Sequence, residues 1–220
     1  MSTPIDALRS AEAGVAHYTM TFERHAPSVV AYRWVETIDP LLGERIIALM
    51  RHTTEGAPII GFAESISDRE AADYLIELQG NLAAQKVRLL AIEIGTDTLI
   101  GLCTLRRNLN PNNSHLTDLA KGMIHQDFRG GGVLPAAFVE IALRCEAEGV
   151  DIVTLDVRAD TPAHRVWKHF GFETWGVLPD YARAQGSVHA GHFMMQPVAA
   201  LKARALGMLE ARIGGPVATS

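Results

Sequence analysis

Three consecutive glycines, Gly130, Gly131 and Gly132, stand between a β-like run ending at Ile124 and a helical run. In the helical run Leu134, Phe138, Ile141, Ala142 and Cys145 fall on one side. Glycine at such a junction lets the main chain approach a bulky anion with no Cβ in the way. The N–H groups at a helix start, and the helix dipole, then favour that anion. Arg129, next to the glycines, can add a charge-assisted contact. A diphosphate suits this cradle. No Gly-Lys-Ser/Thr follows, so it is not a nucleotide P-loop. Ala136 and Ala137 stand where a dinucleotide fingerprint needs its third glycine. Taken alone, the glycines are equally compatible with a plain strand-to-helix turn.

The 220 residues suffice for one domain with a sizeable core, and 48% apolar against 20% charged residues describes a globule rather than a disordered chain. Lys and Arg number 20 against 25 Asp and Glu, a formal charge of -5. With no basic run either, nucleic acid is not an expected partner. Cys103 and Cys145 are too few for a disulfide framework, so a reducing, cytoplasmic setting is expected. Met1 to Val15 shows no basic start followed by an apolar block, and no apolar stretch approaches the roughly 20 residues that span a bilayer. No membrane association is expected.

The segment from Met1 to about Pro27 is weakly patterned and reads as a short helix or extended arm. Val29 to Ile38 reads as a first strand, and Asp39-Pro40 caps a helix ending near Arg51. His52 to Ser67 is aperiodic and reads as an ordered loop. Ser67 and Glu70 have capping-box spacing and open a helix running to about Gln85. Val87 to Ile94 and Thr98 to Arg106 form a hairpin through Gly95-Thr96-Asp97, and His115 to Ile124 leads into the glycines. Asp151 to Arg158 is a further strand. Thr161-Pro162 starts a short helix that Gly171 ends.

Strand, Arg-Gly-rich turn, helix, strand, short helix, Gly-Phe, strand: here the sequence resembles the GNAT superfamily of acyltransferases. The resemblance covers about Val87 to Val198. It implies that Arg129, Gly130, Gly131, Gly132, Val133 and Leu134 hold a coenzyme A pyrophosphate, and that Met123, Ile124 and His125 line the pantetheine arm. Asp160, Ala163, Trp167, Gly171 and Phe172 match the family's N-x-x-A-x-x-x-Y-x-x-x-G-F helix, so Asp160, Ala163 and Trp167 join the cofactor side. The implied fold is a single α/β (α+β) domain. Its mixed, largely antiparallel central sheet is splayed between the fourth and fifth strands, with helices on both faces. Residues 28–198 form this domain, 1–27 an N-terminal extension and 199–220 a C-terminal helix and tail. A closer likeness, to the tabtoxin-resistance type of acetyltransferase, runs through Trp175 to Tyr181, Gly186, His189 and Phe193, and through Glu55 to Phe62. It favours a small, amino-acid-like amine as acceptor, while the GNAT resemblance implies acetyl-CoA (or coenzyme A) as cofactor.

The family pattern is broken at three places. Leu134 replaces a small residue but keeps its N–H, and Asp160 replaces Asn. Trp167 replaces the Tyr that commonly protonates the departing thiolate, and an indole cannot serve as that acid. An oxyanion donor is expected at a backbone N–H near Ile124 or His125. Asp156 is the candidate base: strand alternation sets it with Ile152 and Thr154 on one face, near the splayed end, and the alternative is a carboxylate paired with Arg158 or solvated. Glu64, Tyr181 and His189 are candidate acceptor contacts; loop solubility and hairpin packing are the plainer accounts of the first two. His164 and His169 read as helix-surface residues. His189 and His192 lack the companions of a zinc site, so no metal is expected. Val198 to Ile213 reads as an amphipathic helix that docks on the domain or on a second subunit, which leaves a homodimer open. Two other readings stay open: a coenzyme A-binding protein with lost or altered chemistry, and an acyltransferase that uses another acyl donor.

Overall fold

Period-two alternation and well-marked caps generate most of the architecture. The computed structural model describes residues 9–12, 14–54, 66–184 and 186–213. Among these residues nine strands make one sheet: β1 (Arg9–Glu12), β2 (Val15–Met20), β3 (Ser28–Val35), β4 (Val87–Ile94), β5 (Thr98–Arg107), β6 (Leu116–Ile124), β7 (Ile152–Arg158), β8 (Glu173–Ala184) and β9 (Ser187–Pro197). Their order is β1-β2-β3-β4-β5-β6-β7-β9-β8, antiparallel throughout except for the parallel pair β6 and β7.

The N-terminal segment departs from expectation. Instead of a short helix or loose arm, it builds the β1–β2 hairpin, which extends the sheet beyond β3. Ala16, Tyr18, Met20 and Phe22 alternate along the chain, and all four are buried in the main core.

The splay is the feature that matters. β6 and β7 pair at only three positions, Leu116 with Ile152, Thr117 with Val153 and Asp118 with Thr154. β6 then runs on to Ile124 and β7 to Arg158, leaving their facing edges apart. Counted from β3, these are the fourth and fifth strands. The cause is local: Ala120 lies opposite Thr104 and Met123 opposite Leu102, so β6 carries one extra residue there. Lys121, inside this bulge, has φ +52°. A bulge bends its strand and raises the twist, which carries β6 away from β7.

Among the described residues five helices cover the sheet: α1 (Pro40–Thr54), α2 (Asp68–Ala83), α3 (Val133–Ala147), α4 (Pro162–His169) and α5 (Val198–Ile213). The Asp39 side chain accepts from the Leu42 N–H at 2.8 Å at the start of α1. Ser67 and Glu70 close a reciprocal capping box on α2. On one face, α1 and α2 pack over β4 to β6 around Leu42, Ile46, Leu89, Leu102 and Met123. On the other, Phe138 and Ile141 of α3 meet Tyr18, Tyr32 and Leu90. Each fully buried side chain of this size contributes roughly 1.5–3 kcal/mol. Leu201, Ala205 and Leu209 of α5 enter the same core against α3, so the apolar side of this helix is covered within the chain. The first face is left uncovered over β7, β9 and β8 among the described residues. No described helix is long and apolar enough to cross a membrane.

Candidate active site

β6 passes through a short 3-10 turn, Gln126–Phe128, into Arg129 and the three glycines. Gly130 has φ +89° and Gly132 φ +94°, conformations that side chains rarely adopt. Gly132 is the N-cap of α3, and no side chain among the described residues caps the helix. The first N–H groups of α3 are therefore available to an anion, apart from Pro135, which has none. Gly131 is glycine for a different reason: a Cβ there would meet the Phe22 ring at 2.7 Å and the Thr21 carbonyl at 3.1 Å. The segment leaving β2 thus forms one wall of the cradle, and Phe22 packs edge-on against Phe128, with ring centroids 5.4 Å apart. Two cations attend the turn. Arg129 is exposed, and its Nε donates to the Ile124 carbonyl at 3.2 Å. Arg212, from the last turn of α5, brings its Cδ to 3.5 Å from where a Gly132 Cβ would lie. Val133 is buried, its carbonyl accepting from the Tyr32 hydroxyl at 2.8 Å, and Leu134 packs its side chain against the core.

The ladder decides which main-chain donors face the gap. The His125 N–H donates to the Ile100 carbonyl at 2.8 Å, so it is spent on β5 and drops out as an oxyanion donor. Alternation along an antiparallel pair turns the neighbouring Ile124 N–H to the opposite edge, toward β7. Met123, on the far side from that edge, is buried under α1 and α2. The His125 ring stacks on His52, with centroids 3.8 Å apart, and burial together with His52 holds its imidazole below the ordinary range.

Across the gap, α4 begins at Thr161, whose Oγ1 accepts from the His164 N–H at 3.2 Å. Thr161, rather than Asp160, is therefore the cap. Asp160 has φ +59°, a region that Asp and Asn tolerate better than other side chains, which explains why Asp can stand for Asn here. Ala163 is exposed. Trp167 packs edge-on against Phe138 and Phe172, at 5.8 and 5.6 Å, and reaches Gly122 of β6. His164 departs from the expected helix-surface position: it is buried and stacked on His192 at 4.1 Å. Burial and the His192 ring lower its pKa.

Asp156 is exposed on the uncovered face, one step past the last β6–β7 pair on its side of the strand. It accepts from the Tyr181 hydroxyl of β8. Burial, the bond to Asp156 and the charges of Asp156 and Asp118 raise the Tyr181 phenol well above its ordinary pKa. Asp118 of β6 belongs to the same group. Thr154 Oγ1 lies 3.3 Å from its Oδ1, and Arg106 lies 3.7 Å from its Oδ2. Burial and the Asp156 charge raise the Asp118 carboxyl, with Arg106 and Thr154 opposing. Burial, then Arg106, lowers the Lys121 ammonium. His189 is half-buried, opposite Ala182, past the end of β7. Glu64, with the Glu55 to Phe62 segment, lies outside the described residues. Among the described residues no group of three or more His, Cys, Asp and Glu could hold a metal.

Phe22, Arg212, Asp118 and Lys121 were not among the expected site residues. Only Phe22 carried a readable signal, its place in the Ala16 to Phe22 alternation.

No protein-family model matches this sequence, and no curated protein matches it. Solved structures do. RimJ from Mycobacterium smegmatis, in complex with CoA-disulfide, superposes with a TM-score of 0.62 at 16% identity, over 87% of this chain and 93% of its own. Ribosomal-protein-alanine N-acetyltransferase from Brucella melitensis gives 0.61 at 15% identity, over 76% and 98%. The acetyltransferase of the GNAT family from Streptococcus pneumoniae gives 0.60 at 13% identity, over 76% and 98%. These likenesses establish the fold: the chain has the architecture of the GNAT acetyltransferases, with a β1–β2 hairpin and the α5 helix built into the same core.

Proposed function

We propose that the protein is an acyltransferase that moves an acetyl group from acetyl-CoA to the amine of a small molecule. One observation carries the reading. A strand pair that opens after three positions leads, through one 3-10 turn, into three glycines and a helix start without a side-chain cap, and an exposed carboxylate, Asp156, stands one step past the last pair on β7. Gly130, Gly131, Gly132 and the N–H groups of Val133 and Leu134 would receive the diphosphate, with Arg129 and Arg212 beside it. Met123, Ile124 and His125 would flank the pantetheine arm on the β6 side, and Asp160, Ala163 and Trp167 on the α4 side. Coenzyme A, when bound, supplies the acyl group as a thioester. The Ile124 N–H, on the free edge of β6, is the donor for developing negative charge at the acyl oxygen. Asp156 takes the proton from an ammonium acceptor on the uncovered face. Tyr181 and His189 border the same face, and Glu64 belongs to the segment between α1 and α2. The likeness to the tabtoxin-resistance type supports an amino-acid-like acceptor.

Calorimetry with acetyl-CoA, and thiol release across a library of primary amines, test this together. Asp156→Asn should lower turnover by about 10²–10⁴-fold and leave acetyl-CoA affinity unchanged. The deficit should shrink as pH rises and more of the amine is already neutral. Absence of acetyl-CoA binding would sink the reading. A bound cofactor with no product from any amine would favour a coenzyme A-binding protein with altered chemistry, for which Trp167 in place of the acid is the specific motive.

A further inference from the structure

We infer that Tyr181 is the residue that positions Asp156, so that the working base is a carboxylate–phenol pair assembled across β7 and β8. The inference rests on the proposed acyl transfer for its purpose, but not for its geometry.

Three features of the chain converge on this pair. First, β8 is irregular where it supplies the tyrosine. Leu178 lies opposite Gly191 and Ala182 opposite His189, so β8 spends four steps against two on β9. The two extra residues lift Tyr181 out of the regular alternation. Second, the lifted ring lies flat on Gly191, where any Cβ would overlap it. Gly191 is buried, and its φ lies outside the left-handed region, so the missing side chain serves the ring rather than the backbone. Third, Phe193 stands opposite Asp156 in the β7–β9 ladder and meets the Tyr181 ring edge-on, with centroids 6.2 Å apart at 90°. Bulge, glycine and phenylalanine together direct one hydroxyl onto Oδ2 of Asp156.

The arrangement has a chemical consequence. With Oδ2 held by the phenol, Oδ1 is the oxygen left to receive a proton. An ammonium N–H bond breaks, the proton passes to Oδ1 and the electron pair remains on nitrogen. Tyr181 keeps its own proton throughout, since burial and the two nearby carboxylates oppose its ionisation. Among the described residues, the charged groups around the pair include Asp118 and Lys121 of β6 and Arg106 of β5. Trp167, on the α4 side, cannot exchange a proton. Tyr181 is thus a positioning residue, acting through Asp156.

The test uses the full chain with carbon-13 label at the tyrosine Cζ. Tyr181 is assigned as the resonance that Tyr181→Phe removes. At neutral pH this resonance should move in Asp156→Asn, and also in Gly191→Ala, which displaces the ring without altering either partner. A resonance that stays in place in both variants overturns the pairing. Kinetics with acetyl-CoA and a panel of ethanolamine, benzylamine and L-lysine supply the second arm. Tyr181→Phe should lower kcat by about ten- to a hundredfold, with acetyl-CoA affinity unchanged, as expected when a reacting group is misplaced. In the Asp156→Asn background the same substitution should cost nothing further. If Asp156→Asn abolishes turnover while Tyr181→Phe is as fast as the unaltered protein, the positioning role is wrong and acyl transfer stands. If the unaltered protein acetylates none of these amines, these acceptors are wrong, and the resonance alone decides the pair.

Discussion

The indole of Trp167 lies against the main chain of Gly122, where a Cβ would stand 3.6 Å from the far edge of the ring. A side chain of α4 therefore spans the opening between β6 and β7 at the bulge. Trp167 thereby gives the opening an apolar wall on this face of the sheet, backed by Phe138 and Phe172.

That contact makes Trp167→Tyr informative. The smaller ring can keep its edge-on packing against Phe138 and Phe172 while presenting a hydroxyl to the gap. Turnover is expected to hold or rise, with acetyl-CoA affinity little changed. Steady-state kinetics and calorimetry check it; a severe loss of kcat would assign Trp167 a shaping role at the thioester.

Gly130 and Gly132 separate backbone strain from steric access. Both have positive φ, and a Cβ on Gly130 would meet nothing within 4 Å, whereas one on Gly132 would approach Arg212 at 3.5 Å. Gly130→Ala should cost about 1–2 kcal/mol of stability through strain alone. Gly132→Val adds a branched side chain at the uncapped start of α3, and coenzyme A affinity should fall by more than tenfold. Thermal unfolding and calorimetry measured on the same samples tell the two effects apart.

Local chemistry made much of this fold legible. The capping box at Ser67, the Asp39 cap, the hairpin at Gly95 and the glycine turn are all short-range signals, and each forms where its residues imply. The β1–β2 hairpin was harder to read, because the Ala16 to Phe22 alternation stands beside a short, polar β1 and an isolated alternation does not announce its partner. Two site features lay further out of reach. Whether Ile124 or His125 turns its N–H to the gap depends on ladder parity, which the bulge at Lys121 resets. The Tyr181 to Asp156 bond depends on two extra residues in β8, and their count is fixed only by the pairing with β9. Tertiary register, not residue type, carries that information.

Glu140 tests how the hairpin is tied to the cradle. It is buried on α3, accepts from Arg9 at 2.7 and 3.2 Å and from the Tyr18 hydroxyl at 2.6 Å. Glu140→Ala leaves the buried phenol without its acceptor, while Arg9, part-exposed, can turn to water. A loss of about 2–3 kcal/mol is expected. Since Thr21 and Phe22 wall Gly131, coenzyme A affinity should fall as well. Chemical denaturation and calorimetry check both; an unchanged affinity would mean that the hairpin supports the sheet without supporting the turn.

The buried thiols and phenols predict an alkaline limit. Burial pushes Cys103 and Cys145 up to about 12, and Tyr74 up to about 12. Burial likewise raises Tyr18, which bonds Glu140, and Tyr32, which packs against Tyr18. In the unfolded chain a thiol ionises near 8.5 and a phenol near 10. Below about pH 8.5 both states hold these protons and the stability is fully present. Above it the unfolded state releases protons that the native state keeps, so unfolding becomes easier as pH rises toward the native values near 12. Each thiol should cost about 2 kcal/mol of stability by pH 10. Denaturant melts between pH 8 and 10.5 should show this decline, and Cys103→Ala with Cys145→Ala should flatten it. Thiol reagents at neutral pH should label neither cysteine until the protein unfolds. Fast labelling of the native protein would show that β5 or α3 opens on its own.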